Sequence, residues 1–248
     1  MKYEIKGGSF PIVECTLDKD EFMITESGSM CWRDENIEMK TSSNGGLGKV
    51  IGRIFTREKL FQNIYTSTQD GSKIAFGTCV PGSILAIEIK KGDTFICQKS
   101  AFLASYGNIE LATFFNKKIG VGIFGGEGFI MQKITGEGTV FIEIDGSYKD
   151  FELKEGQKLV LSTGYLVSMS DTCQIDVQTV KGLKNIFLGG EGLFNTVITG
   201  PGKVTVQTMP LPKLANSILP YLPTQSGSSN SGNDAVNAAT SIFKMLNK

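Results

Sequence analysis

Two carboxylates occupy the most reaction-like setting in the chain. Glu127 lies in Gly125-Gly126-Glu127-Gly128, and Glu191 lies in Gly189-Gly190-Glu191-Gly192, 64 residues further on. A pair of carboxylates can do acid–base work or hold a hard cation. Duplication, however, puts like residues at like positions whatever their role, and turn amides need acceptors. We therefore expect these eight residues to be structural turns, with no catalytic, cofactor-binding or metal-ligating side chain anywhere in the chain. Two other glycine patterns fail on context. Gly120-x-Gly122-x-x-Gly125 has the spacing of a dinucleotide fingerprint, but the residues after it, 127–134, read as strand where the motif needs a helix. Gly45-Gly46-Leu47-Gly48-Lys49 resembles a phosphate loop, yet Ser43 replaces its first glycine and Val50 its Ser/Thr.

Histidine is absent from all 248 residues. That removes Ser-His-Asp and Cys-His catalysis, imidazole metal ligation and a base that titrates near neutral pH. Cysteines 15, 31, 79, 97 and 173 never fall at C-x-x-C spacing, and most sit in apolar runs. They read as free thiols buried as small hydrophobes in a reducing cytoplasm. Lys plus Arg equals Asp plus Glu at 25 each. This balance makes nucleic acid an unfavourable partner and places little self-repulsion in the way of self-association. No signal-peptide pattern and no apolar run of spanning length are present.

The elements that must carry these residues are strands. Short runs with period-2 alternation, bounded by glycine, occur at 84–89, 139–144, 159–161 and 203–207. The class is all-β, an internally repeated β-sandwich. Residues 124–140 align with 188–204. A second motif begins at Leu17, Ile89 and Leu153, with turns at Lys19-Asp20, Lys91-Gly92 and Glu155-Gly156. These repeats predict a body over 1–210 with units at about 62–117 and 118–182. A third unit is expected from 188–208 paired with 3–40, so that the chain ends close an open sheet edge. Residues 49–61 have helical spacing and carry a basic cluster, 49–59, that could meet a membrane surface or a protein. Residues 211–233 read as a Pro/Ser/Gly linker. Residues 234–248 form a short amphipathic helix with Val236, Ile242, Phe243 and Leu246 on its apolar face. Fifteen residues are marginal alone in water, so this helix needs a docking surface or a protein partner.

Several segments together resemble one family: Tyr3 to Ser9, Glu26 to Trp32, Gln98 to Ser105, Ile123 to Gly128 and Gly200 to Thr208. They are similar to bacterial proteins whose eukaryotic relatives are named for mitochondrial biogenesis, the altered-inheritance-of-mitochondria type. The resemblance covers about residues 1–209. It implies a sandwich like that of the tryptophan RNA-binding attenuation protein, repeated within one chain and often assembled as a homotrimer, with no established catalytic residues. Members commonly carry Thr-Gly-His-Leu where this chain has Thr163-Gly164-Tyr165-Leu166.

These readings favour a non-enzymatic, cytoplasmic scaffold that associates with itself, the trimer being the form the resemblance suggests. A small-molecule module with its ligand between subunits is the alternative, and RNA binding a further one. Peripheral contact with a membrane is compatible with the basic segment.

Overall fold

The computed structural model describes residues 1–26, 28–42, 62–117, 129–179, 194–218 and 221. Both Gly-Gly-Glu-Gly motifs, the segment 49–61 and the terminal helix 234–248 lie outside the described residues. What is described is all-β apart from short helical turns and one helix. Seventeen strands run β1 Lys2–Lys6, β2 Ile12–Leu17, β3 Phe22–Glu26, β4 Met30–Arg33, β5 Ile37–Ser42, β6 Gln62–Ser67 and β7 Ser72–Gly77. Next come β8 Gly82–Ile89, β9 Phe95–Gln98, β10 Phe102–Lys117 and β11 Phe129–Asp145. The last are β12 Tyr148–Leu153, β13 Lys158–Ser162, β14 Leu166–Ser170, β15 Gln174–Thr179, β16 Phe194–Thr199 and β17 Gly202–Gln207; the helix, α1, is Leu211–Ile218. Alternation does what the pattern requires: along β2, Val13, Cys15 and Leu17 point inward while the residues between them are half-buried.

Three groups of strands share one pairing scheme. In the first, β2 and β4 flank β7, while β3 and β5 flank β6. In the last, β12 and β14 flank β17, while β13 and β15 flank β16. The middle group does the same with two long strands: β8 and the first half of β10 flank the end of β11, and β9 and the second half of β10 flank its beginning. The groups share a register shift at the same place, skipping Cys31, Leu103 and Val167, and the middle group has a second between Thr113 and Phe115. Each also has one four-residue turn, Asp18–Glu21, Lys90–Asp93 or Lys154–Gln157. The third turn residue has positive φ in all of them: Asp20 at 66°, Gly92 at 96° and Gly156 at 70°. The fourth residue's side-chain oxygen accepts the first residue's N–H, at 2.9 Å for Glu21, 3.0 Å for Asp93 and 3.0 Å for Gln157.

Neighbouring groups are joined by ladders of equal register. β3 pairs β10 through Thr25 with Ala104, Ile24 with Ser105 and Met23 with Tyr106. β9 pairs β14 through Cys97 with Ser168, Ile96 with Met169 and Phe95 with Ser170. The apolar cores cross these joints. Leu103, Ala104 and Phe141 of the middle group complete the first core, Val167 of the last group enters the second, and Ile96, Phe129 and Met131 enter the third.

The expected pairing of the chain ends is corrected by these ladders. Residues 3–40 pair among themselves and with β6, β7 and β10, while β16 and β17 complete the last group with β12–β15. The groups are therefore 12–77, 82–145 and 148–207, in place of 62–117, 118–182 and 188–208 with 3–40. The reason is local. The connection from β6 to β7 turns through Asp70-Gly71, where its later counterparts have Thr-Gly-x-Gly, and β6 follows a long stretch at 43–61, so the kinship of this segment with them is weak in sequence. The linker over 211–233 also begins as a helix. Pro212 suits a first turn, and the Leu211 N–H donates to Asp145 Oδ2 at 2.9 Å, a carboxylate at a helix N-terminus supplied from 66 residues away.

β10 and β11 stay continuous where the other groups break because glycine permits the bend. Gly107, Gly136 and Gly138 have φ of 95°, 115° and 157°, and a Cβ on Gly136 would sit on the Asn108 carbonyl oxygen. Gly136→Ala should therefore lower the urea midpoint by far more than Gly92→Ala. At Gly92 the added methyl meets open space and only the left-handed backbone is penalised, by about 1–2 kcal/mol.

Candidate functional site

Carboxylates that the sequence reading left aside turn out to be structural acceptors. Glu21 takes the Asp18 N–H, the Met1 amino group at 3.1 Å and the Tyr106 hydroxyl, which reaches it from the neighbouring strand group. Burial by itself raises the Glu21 carboxyl. The hydrogen bonds from Tyr106, Asp18 and the amino group outweigh it and hold the group below its ordinary value. The bond to Glu21, then burial, push the Tyr106 phenol up to about 12. Asp145 is shifted the other way: burial raises it, opposed only by the Leu211 N–H.

The thiols divide. Cys15, Cys97 and Cys173 are buried as expected, but Cys31 and Cys79 are exposed, which corrects the reading of the cysteines as core residues. Cys79 follows β7 outside any strand, and Cys31 is the skipped residue on an uncovered strand. Burial pushes Cys15 up to about 12, and desolvation raises Cys31 and Cys79 as well. A raised thiol is protonated near neutral pH and is a poor nucleophile.

The corner at Thr163–Tyr165 is fixed from several sides. Thr163 Oγ1 donates to the Phe194 carbonyl at 2.9 Å, and Gln207 Nε2 donates to the Gly164 carbonyl at 3.0 Å. Lys213 of α1 lies over the Tyr165 ring and donates to its hydroxyl at 2.5 Å. Tyr165, at the position where the resembling family has histidine, thus anchors the helix. A shallow polar cleft of about 450 Å³ lies between the Lys90–Asp93 turn and the bend of β10 and β11, with Lys91, Asp93, Asn108 and Glu137 on its walls.

Two sheet edges stand apart from the rest. β3 and β9 are each covered on both sides, but among the described residues their counterpart β13 pairs only with β16. In β3 and β9 the central residues Ile24 and Ile96 are 3% and 0% exposed; the equivalent Val160 of β13 is 59% exposed. Likewise β10 and β14 are covered on both sides, whereas among the described residues β4 pairs only with β7. Ala104 and Ser168 are buried, and the equivalent Trp32 is 38% exposed. A short apolar run, Leu159 to Leu161, marks β13 as a strand in the sequence, but only the ladders reveal which of its edges is unpaired. Trp32 lies on the other such edge.

Comparisons with known proteins place these features in a family. The family model described as mitochondrial biogenesis AIM24 matches residues 3–209. An uncharacterised protein of Streptococcus pyogenes serotype M6 is 31% identical over 235 residues, covering 91% of this chain and 93% of its own. The crystal structure of a Streptococcus pyogenes protein superposes with a TM-score of 0.71 at 25% identity, over 89% of this chain and 99% of that one. Among the described residues, no helix is long and apolar enough to cross a membrane.

The Glu21 contacts predict a pH signature. The unfolded chain protonates Glu21 near 4.5 and the folded chain only at lower pH, so the stabilisation is complete above that value and fades as pH falls through the folded pKa. Glu21→Gln should lose about 1 kcal/mol at pH 7, and the difference from the parent should shrink as pH falls below 4.5, as read from urea denaturation across that range.

Proposed function

The chain belongs to the mitochondrial biogenesis AIM24 family, and from that premise we propose that it is a non-enzymatic scaffold whose working form is a homo-oligomer. The observation that carries this reading is the pair of uncovered edges, β13 and β4, where the apolar residues Val160 and Trp32 are exposed at positions whose counterparts within the same chain are buried. An unpaired strand edge exposes backbone donors and acceptors and favours the addition of another strand. The neutral charge balance does not oppose association, and the family resemblance favours three copies. Glu21, Asp93 and Asp145 are engaged in turns and a cap, and the thiols of Cys15, Cys31, Cys79 and Cys173 are raised, so these groups support a body held in shape more than a reaction centre. Five cysteines with no disulfide fit a reducing compartment such as the cytoplasm.

A small-molecule module is the second reading, and it rests on the polar cleft beside Lys91 and Glu137, whose size is within the range of ligand sites. Native mass spectrometry of protein taken from its host would show a retained small molecule if that reading holds.

The scaffold reading is tested by sedimentation velocity on the full chain across low to high micromolar concentration. A species of more than one chain is expected throughout. A single monomer boundary at every concentration would refute it.

A further inference from the structure

The joints inside the chain follow a rule that the chain itself leaves unfinished. The second strand of each group, β3 or β9, pairs with the third strand of the next, β10 or β14, in the same antiparallel register. Among the described residues, the donor strand β13 of the last group and the acceptor strand β4 of the first are left without such a joint. The two lie in separate sheets with no ladder between them among the described residues.

Resting on the oligomeric reading, we propose that β13 of one copy pairs with β4 of a second copy, as a third joint of the same kind. Transferring the register sets Leu161 opposite Trp32, Val160 opposite Arg33 and Leu159 opposite Asp34. One step further along, Lys158 meets Glu35, placing opposite charges across the joint where both side chains are exposed in the single chain.

Two further observations support this occupant. Among the described residues the other outer strands are β1, which caps the first group, and β5, β8, β12 and β15, whose counterparts in other groups are also outer or capped only by β1, so no internal joint supplies a template for them. The skipped residue at each joint is also informative. Leu103 and Val167, at 2% and 0% exposure, fill the core of the preceding group, whereas their counterpart Cys31 is exposed. In the assembly Cys31 enters the core beside β13 of the neighbour. The contact is head-to-tail, so it closes a ring or extends as a filament according to the rotation between copies.

The test uses full chains with Cys31 and Cys79 replaced by serine. One population carries Val160→Cys and the other Arg33→Cys. Directly opposed strand residues lie within disulfide reach, so the mixture should give a disulfide-linked dimer on oxidation, while each population alone gives at least tenfold less. The double variant should give a ladder of linked chains, and moving the second cysteine to Met30→Cys should abolish it. In the parent, alkylation of Cys31 should slow at least tenfold on assembly while Cys79 is unaffected. Val160→Lys changes a side chain that is exposed in the single chain, so it should preserve the fold and weaken association at least tenfold. An oligomer that forms without the cross-link, or with Val160→Lys at full strength, overturns this pairing and leaves the scaffold reading standing. A cross-link formed within one chain also overturns it. A monomer under all conditions overturns both.

Discussion

Each strand group completes its core with side chains from its neighbour. Leu103, Ala104 and Phe141 close the first core from the middle group, and Ile96, Phe129 and Met131 close the third from the same middle group. The short ladders β3–β10 and β9–β14 hold these side chains in place. A group cut away from its neighbour would leave such residues in water, and each large apolar side chain is worth about 1.5–3 kcal/mol of burial. Stability is therefore shared between adjacent groups, as in stacked repeats, and the ends of such a stack expose what the middle hides.

β1 shows one way of treating an end. It adds to β2 at the outer edge of the first group, with every residue exposed, and Tyr3 packs edge-on against Phe141 at 5.0 Å. That contact ties the start of the chain to the first joint. α1 does similar work at the far end, held by Asp145 and by the Tyr165–Lys213 pair. Neither element covers β4 or β13. The edges left bare are the ones whose counterparts form joints inside the chain.

The same architecture accounts for the fate of the polar groups. Carboxylates that could do chemistry elsewhere accept backbone N–H groups at recurring turns: Glu21 and Asp93 do so, and the neutral Gln157 serves equally well in the third turn. A position that works with or without charge is selected for its acceptor oxygen and not for titration.

Much of this was legible in the sequence because it depends on neighbours along the chain. Alternation in β2 and the short apolar run of β13 declare strands. The three turns after Leu17, Ile89 and Leu153 declare themselves by spacing, and two of them use glycine at the left-handed position, where only a residue without a Cβ is free of penalty. The missing histidines set limits on the chemistry without any structure. Pairing partners were decided only in three dimensions, since a strand's pattern states which face is buried but not which strand lies beside it. Gln62–Gly77 therefore went to the wrong group by sequence, and the helix capped by Asp145 was taken for linker. Val160 and Trp32 carry no mark that separates them from Ile96 and Ala104; what distinguishes them is the absence of a neighbouring group, and that is a property of the fold.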